Sequence, residues 1–173
     1  MPDTLYGPGQ SRLARLLERR ERARPDPVAR ELRRRLLQDA HGRVVEIGCG
    51  DGRAFDLYPS AVTSVLAIEP DPVAREAATE RARAAAVPIE IVDGHTERLP
   101  AETGSCDVAV AVWMLCSVAD PARALREIAR VLAPGGELRF YEHVRARNRL
   151  FRALQGTVDA VYWTRALGGC RTA

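Results

Sequence analysis

Long apolar runs are missing from this 173-residue chain; the longest, Val108 to Cys116, is far short of a membrane span. The opening MPDTLYGPGQ has no basic segment leading into an apolar one, so nothing in it directs export. Close cysteine pairs are missing too. Cys49, Cys106, Cys116 and Cys170 lie far apart, which excludes a metal-type or redox-type pair and fits free thiols in a reducing cytoplasm. Lysine is absent altogether, so all 26 basic residues are arginines, a bias of composition before it is chemistry. What is there is 46% hydrophobic residues, rich in Ala, Val and Leu, ample for the buried core of one soluble globular domain.

Charge is uneven. Ser11 to Arg35 holds ten Arg against four acids, a local excess of six inside a net charge of +3, so the rest of the chain is net −3. This segment is either a basic arm or two amphipathic helices with solvated arginines. Leu13, Leu16 and Leu17 share one face after a Ser11 cap. Val28, Leu32 and Leu36 share another after an Asp26 cap with Pro27 as first helical residue. The mixed charges of Glu18, Arg19, Arg20, Glu21 and Arg22 favour surface pairing, and no aromatics interleave for base stacking.

Beyond this segment strands and helices alternate. RVVEI (43–47), TSVLAIE (63–69), IEIV (89–92), CDVAVAV (106–112) and ELRFYEH (137–143) read as five strands. Asp71 and Pro72 open an Ala-rich helix to about Ala86. Asp120 and Pro121 open PARALREIARVL, whose Leu125, Ile128 and Leu132 form a core stripe stopped by Pro134, Gly135 and Gly136. Such alternation implies a mostly parallel α/β sheet covered on both faces.

The first strand runs into VVEIGCGDG, where Gly48, Gly50 and Gly52 leave no side chains between backbone and ligand. The helix expected next would offer free N–H groups, and in a doubly wound sheet this turn marks the switch point where ligands bind. Dehydrogenases space their glycines G-x-G-x-x-G; here the order is G-x-G-x-G, with Arg53 where a third dehydrogenase glycine would stand. Glu69, ending the second strand, suits the hydroxyls of a ribose. Glu46, two residues before the glycines, suits an ammonium group rather than a diphosphate, while Asp93 can take an adenine amino group beside a flat ring on Gly94.

VVEIGCGDG, AIEPDP, DGHTERLP and SCDVAVAVWMLCSVADPARALREIARVLAPGGELRFYEH, in that order, resemble the successive motifs of class I S-adenosylmethionine-dependent methyltransferases, in the quinone-biosynthesis-like (methyltransferase type 11) branch. The likeness covers roughly Arg43 to His143, and with FRALQGTVDAVYWTRALGGCRT it comes nearest to the thiol methyltransferases. The resemblance implies a Rossmann-like sheet of strand order 3-2-1-4-5 and S-adenosyl-L-methionine as cofactor. It places Glu46, Gly48, Cys49, Gly50 and Gly52 at the methionine end and Glu69 on the ribose, with Pro70 beside the adenosine. Asp93, Gly94 and His95 surround adenine, and Val112 with Trp113 lies near the methionine and sulfonium, Trp113 being equally readable as core packing. No metal is implied.

Methyl transfer from a sulfonium is an in-line displacement, so the protein must align and desolvate rather than react. His143 is a candidate general base at the carboxyl edge of the sheet; Cys116, on the loop after the fourth strand, is a weaker candidate because no enzyme-bound methyl is needed. Three classes stay open: a small-molecule methyltransferase, preferred; an RNA methyltransferase using Ser11 to Arg35 as its footprint; and a non-catalytic or incomplete cofactor-binding module. The expected divisions are an N-terminal helical cap (1–40), the cofactor-binding core (41–146) and a C-terminal helix and tail (147–173). The antiparallel strand pair that follows the fifth strand in this family finds no counterpart here. Leu138, Phe140 and Tyr141 would then lie on an open edge that invites a second copy.

Overall fold

Four runs rich in β-branched residues and a fifth without any form five strands: β1 (Gly42–Ile47), β2 (Val62–Ile68), β3 (Ile89–Val92), β4 (Cys106–Val112) and β5 (Leu132–Tyr141). They pair in the order β3-β2-β1-β4-β5 with every pairing parallel. This computed structural model describes residues 26–144 and 147–148. The helix expected after Ser11 and nearly all of the expected C-terminal segment lie outside them. The chain divides into two compact units, Val28–Glu142 and a second made of Met1–Pro27 with His143–Ala173. The sheet and its helices belong to the first.

A parallel sheet is buried on both faces, which is why its strands read as nearly unbroken apolar runs. Successive side chains go to opposite faces. Val44, Val65, Val108 and Val110 meet Leu37 of helix α1 (Pro27–Leu37), Ala78 of α2 (Pro72–Ala82), Phe55 and Tyr58 on one face. Val45, Ile47 and Ala109 meet Ile128 and Val131 of α3 (Pro121–Val131) on the other. Fully burying a Val or Ile contributes about 1.5–3 kcal/mol, so these two layers hold the sheet.

Two of the expected Asp-Pro caps, at Asp71 and Asp120, are present. The Asp71 carboxylate accepts from the Val73 N–H at 3.0 Å and that of Asp120 from the Arg123 N–H at 2.9 Å. Boundaries and faces differ in four places. The Ala-rich helix ends at Ala82, not near Ala86, passing into turn bonds from Ala84 and Ala85 back to Arg81 and Ala82. In α3 the buried stripe is Ala124, Ile128 and Val131, while Leu125 is 45% exposed. In α1, Ala29 and Leu37 are buried and Val28 faces outward.

The fourth difference is at β5. It begins at Leu132, directly off α3, and pairs Leu132 with Cys106 before the register shifts and resumes at Val108 with Glu137. Pro134-Gly135-Gly136 therefore interrupts the pairing rather than preceding the strand, because a proline lacks the N–H a ladder needs. Phe140 and Tyr141 are exposed on this end strand, whereas Leu138 packs inward with the second core cluster. Arg139 of β5 reaches α1, donating to the carbonyls of Leu36 at 3.1 Å and Asp39 at 3.0 Å.

No helix among the described residues is long and apolar enough to cross a membrane. Among them no group of three or more His, Cys, Asp or Glu side chains is placed to hold a metal ion. Cys49, Cys106 and Cys116 are buried free thiols; Cys170 lies outside the described residues.

Candidate functional site

At the carboxyl end of β1 the chain folds over the end of β2, with the N–H groups of Gly48 and Cys49 both donating to the Ile68 carbonyl at 2.8 and 3.1 Å. The full helix expected after the glycines does not form. Only a short 3-10 turn, Phe55–Leu57, follows, and Tyr58 turns extended ahead of Pro59, as the residue before a proline tends to. Polar donors at this turn are therefore loop N–H groups rather than a helix terminus.

The three glycines have different reasons to be there. A side chain on Gly52 would meet the Phe55 ring at 2.6 Å and the Ala78 backbone at 3.2 Å, and one on Gly48 would meet Met114 Cγ at 2.8 Å. Both serve the protein's own packing. Gly50, with φ of 57°, has nothing within 4 Å of that position and faces open space.

Glu69 closes over this opening. Its carboxylate, in a residue only 5% exposed, accepts from the Gly50 N–H at 2.9 Å through Oε2 and from the Asp71 N–H at 3.0 Å through Oε1. A carboxylate can accept from several donors at once, N–H and hydroxyl alike. Glu46 lies inside the sheet, also 5% exposed, and accepts from the Tyr58 hydroxyl at 2.8 Å. Burial pushes its carboxyl up to about 7, although the Tyr58 bond and the charge of Arg33 pull the other way. Burial likewise raises the Cys49 thiol, leaving it a neutral packing group.

At the ends of β2 and β3, Arg75 of α2 gathers three acceptors with one nitrogen. Nη1 donates to the carbonyls of Glu69 at 2.6 Å and Pro70 at 2.8 Å and to Asp93 Oδ1 at 2.9 Å. Pro70 and Asp93 are thereby held side by side. The position a Gly94 side chain would take is filled by Ile68 and Pro100, at 2.9 and 3.0 Å. His95 is exposed, its carbonyl accepting from the Arg98 N–H at 3.0 Å.

Beyond β4, Trp113 is the one non-glycine among the described residues with positive φ, at 53°, a costly conformation for a bulky side chain. Its N–H donates to the Tyr141 carbonyl at 2.7 Å; its ring stands edge-on to Tyr141 at 5.8 Å and lies under the Arg33 guanidinium at 4.8 Å. Val112, half-buried, ends the strand before it. The next residues are gripped by Glu142, whose carboxylate accepts from the N–H groups of Met114 and Leu115 at 2.8 Å each and of Cys116 at 3.2 Å. Cys116 is buried. His143, the next residue after Glu142, groups with the terminal segments rather than with this unit.

Most of the residues expected from the sequence thus fall into three linked sets, the glycine turn with Glu69, Pro70 with Asp93, and Val112 with Trp113, whereas Glu46 is enclosed with Tyr58, His95 is exposed and His143 groups outside this unit. What links them, namely Arg75, Met114 and Glu142, had no local signal in the sequence. Their partners lie between 5 and 28 residues away, and for Glu142 and most of the Arg75 contacts they are backbone groups.

A family model described as a methyltransferase domain matches residues 45–140, more than half of the chain. Thiol S-methyltransferase TMT1B of Homo sapiens is 38% identical over 114 residues, covering 62% of this chain and 46% of that protein. Thiol S-methyltransferase TMT1A of Homo sapiens is 33% identical over 131 residues, covering 73% and 53%. The chain thus spans about half the length of these curated relatives. Among solved structures, the YcgJ protein of Bacillus subtilis superposes with a TM-score of 0.71 at 22% identity, covering 85% of this chain and 62% of that one, a likeness of fold.

Proposed function

Because this chain belongs to the methyltransferase domain family, we propose that it binds S-adenosylmethionine along the carboxyl ends of β1, β2 and β3 and catalyses methyl transfer to a small-molecule acceptor, with a thiol as the favoured class. The observation that carries this reading is the hydrogen bond between Glu69 and the Gly50 N–H. It sets an acid at the rim of the one glycine of this turn that faces open space. That is the chemistry a ribose diol asks for.

When bound, the cofactor supplies an electrophilic methyl group on a positively charged sulfur. The chain's residues hold and dry the reactants. Glu69 takes the ribose hydroxyls, Asp93 the adenine amino group, and Glu46, ionised by the approach of a cation, the ammonium group. Val112 and Trp113 wall the methionine and sulfonium end. Orientation of this kind lowers a barrier by several kcal/mol, up to about 7–11. A thiol acceptor is partly ionised near neutral pH and needs little proton removal; His143 is the base we assign for weaker acids. The thiol class is supported by the two human relatives named thiol S-methyltransferases.

The test is incubation with labelled S-adenosylmethionine and a panel of alkyl and aryl thiols, phenols and amines, alongside calorimetry with S-adenosylhomocysteine and NADH. Label on a thiol and binding of S-adenosylhomocysteine alone are expected. Comparable NADH affinity overturns the cofactor reading, and label only on oxygen or nitrogen overturns the thiol class.

A further inference from the structure

We infer that Glu142 is a positioning residue for the methionine end of the site, acting through the loop that carries Trp113 and Met114; this rests on the cofactor reading above. Three successive N–H groups, those of Met114, Leu115 and Cys116, converge on its one carboxylate. Such a concave row of donors is matched by an anion, and charge-assisted bonds of this kind are the stronger class. The residue before it, Tyr141, supplies the carbonyl that takes the Trp113 N–H. Every N–H from Trp113 to Cys116 is therefore held by the Tyr141–Glu142 pair at the end of β5.

Two things on the loop depend on that hold. Trp113 keeps a left-handed backbone only because its surroundings fix both sides of it. Met114 lies against Gly48, its Cγ 2.8 Å from where a side chain there would begin, and its sulfur accepts from the Thr96 hydroxyl at 3.2 Å. Met114 thus forms the floor of the glycine turn and touches the loop after β3. Releasing the loop lets Met114 leave Gly48, so the turn that faces the ligand loses its backing. Glu142 need not touch the ligand to control how tightly it is held.

Glu142→Ala and Glu142→Gln are compared with the parent, all in a Trp163→Phe background so that Trp113 is the only tryptophan. Trp113 emission and acrylamide quenching report the loop directly, and calorimetry with S-adenosylhomocysteine reports the site. Glu142→Ala is expected to expose Trp113 to quencher and to weaken S-adenosylhomocysteine by about tenfold, with Glu142→Gln, which keeps one acceptor oxygen, between it and the parent. If Glu142→Ala does not fold, the Gln variant carries the comparison. A folded variant that is merely less heat-stable, with Trp113 quenching and ligand affinity both at the parent's values, overturns the inference. If the parent fails to bind S-adenosylhomocysteine, the cofactor reading falls, and the quenching data still decide whether Glu142 holds the loop.

Discussion

The Tyr58 hydroxyl donates to Glu46 Oε2 at 2.8 Å, and both residues are buried between the sheet and its covering layer. Burial raises the Glu46 carboxyl from 4.5 to about 7, opposed by Tyr58 and by the charge of Arg33. An acid raised in the folded state keeps its proton there over a range where the unfolded chain has lost it. Its contribution is fully present below pH 4.5 and is lost as pH climbs through about 7. From urea midpoints at pH 5 and pH 8, the parent should lose roughly 2–3 kcal/mol more than Glu46→Gln. Equal losses would show that Glu46 does not titrate in this window.

On the proposed cofactor reading Glu69 has two duties, and its removal should register twice. Glu69→Ala leaves the N–H groups of Gly50 and Asp71 without their acceptor, lowering stability by about 1–3 kcal/mol, and removes the ribose acceptor, weakening S-adenosylhomocysteine by a similar amount. Denaturation and calorimetry separate the two. Unchanged affinity in a folded variant removes Glu69 from the site.

Gly50 and Gly52 should part company on substitution by alanine. Both need a left-handed backbone, so each pays about 1–2 kcal/mol for a side chain. At Gly52 the added carbon also strikes Phe55 and Ala78, and the chief effect should be a fall in melting temperature. At Gly50 it enters open space, so stability should fall modestly while S-adenosylhomocysteine affinity drops at least about tenfold by steric exclusion. Identical profiles for the two variants would contradict this division.

Arg75→Ala should loosen the adenosine end without unmaking the sheet. Hydrogen exchange is expected to quicken at the amides of Glu69, Asp71 and residues 93–95, where one guanidinium nitrogen holds Glu69, Pro70 and Asp93 together, and to stay unchanged in β1 and β4. Uniform quickening across the sheet would mean that Arg75 is a global stabiliser.

Strands β1 to β4 were legible in the sequence because a doubly covered parallel sheet writes itself as Val-, Ile- and Ala-rich runs, their order was implied by the family resemblance, and two Asp-Pro caps marked helix starts. The faces were less so. In α3 both 124-128-131 and 125-128-132 have helical spacing; size favoured Leu125, but the space against the sheet admits only Ala124, which is fully buried. The glycine turn and Glu69 were legible as a pair, and the structure joins them by a hydrogen bond. Glu142 was not, since an acid that binds main chain leaves no complementary side chain in the sequence to pair it with; nor was Arg75, two of whose three acceptors are carbonyls.

Arg139 bonds to carbonyls of Leu36 and Asp39, 103 and 100 residues earlier in the chain. On a ribosome, α1 emerges ahead of every strand and must wait for nearly the whole sheet to be synthesised before this tether exists. Until then its buried face, with Leu37, has a partial strand layer to rest on and no anchor at its carboxyl end. Closing a loop of that size is a late and slow event, which makes the helix nearest the start of the described chain among the last elements to be fixed in place.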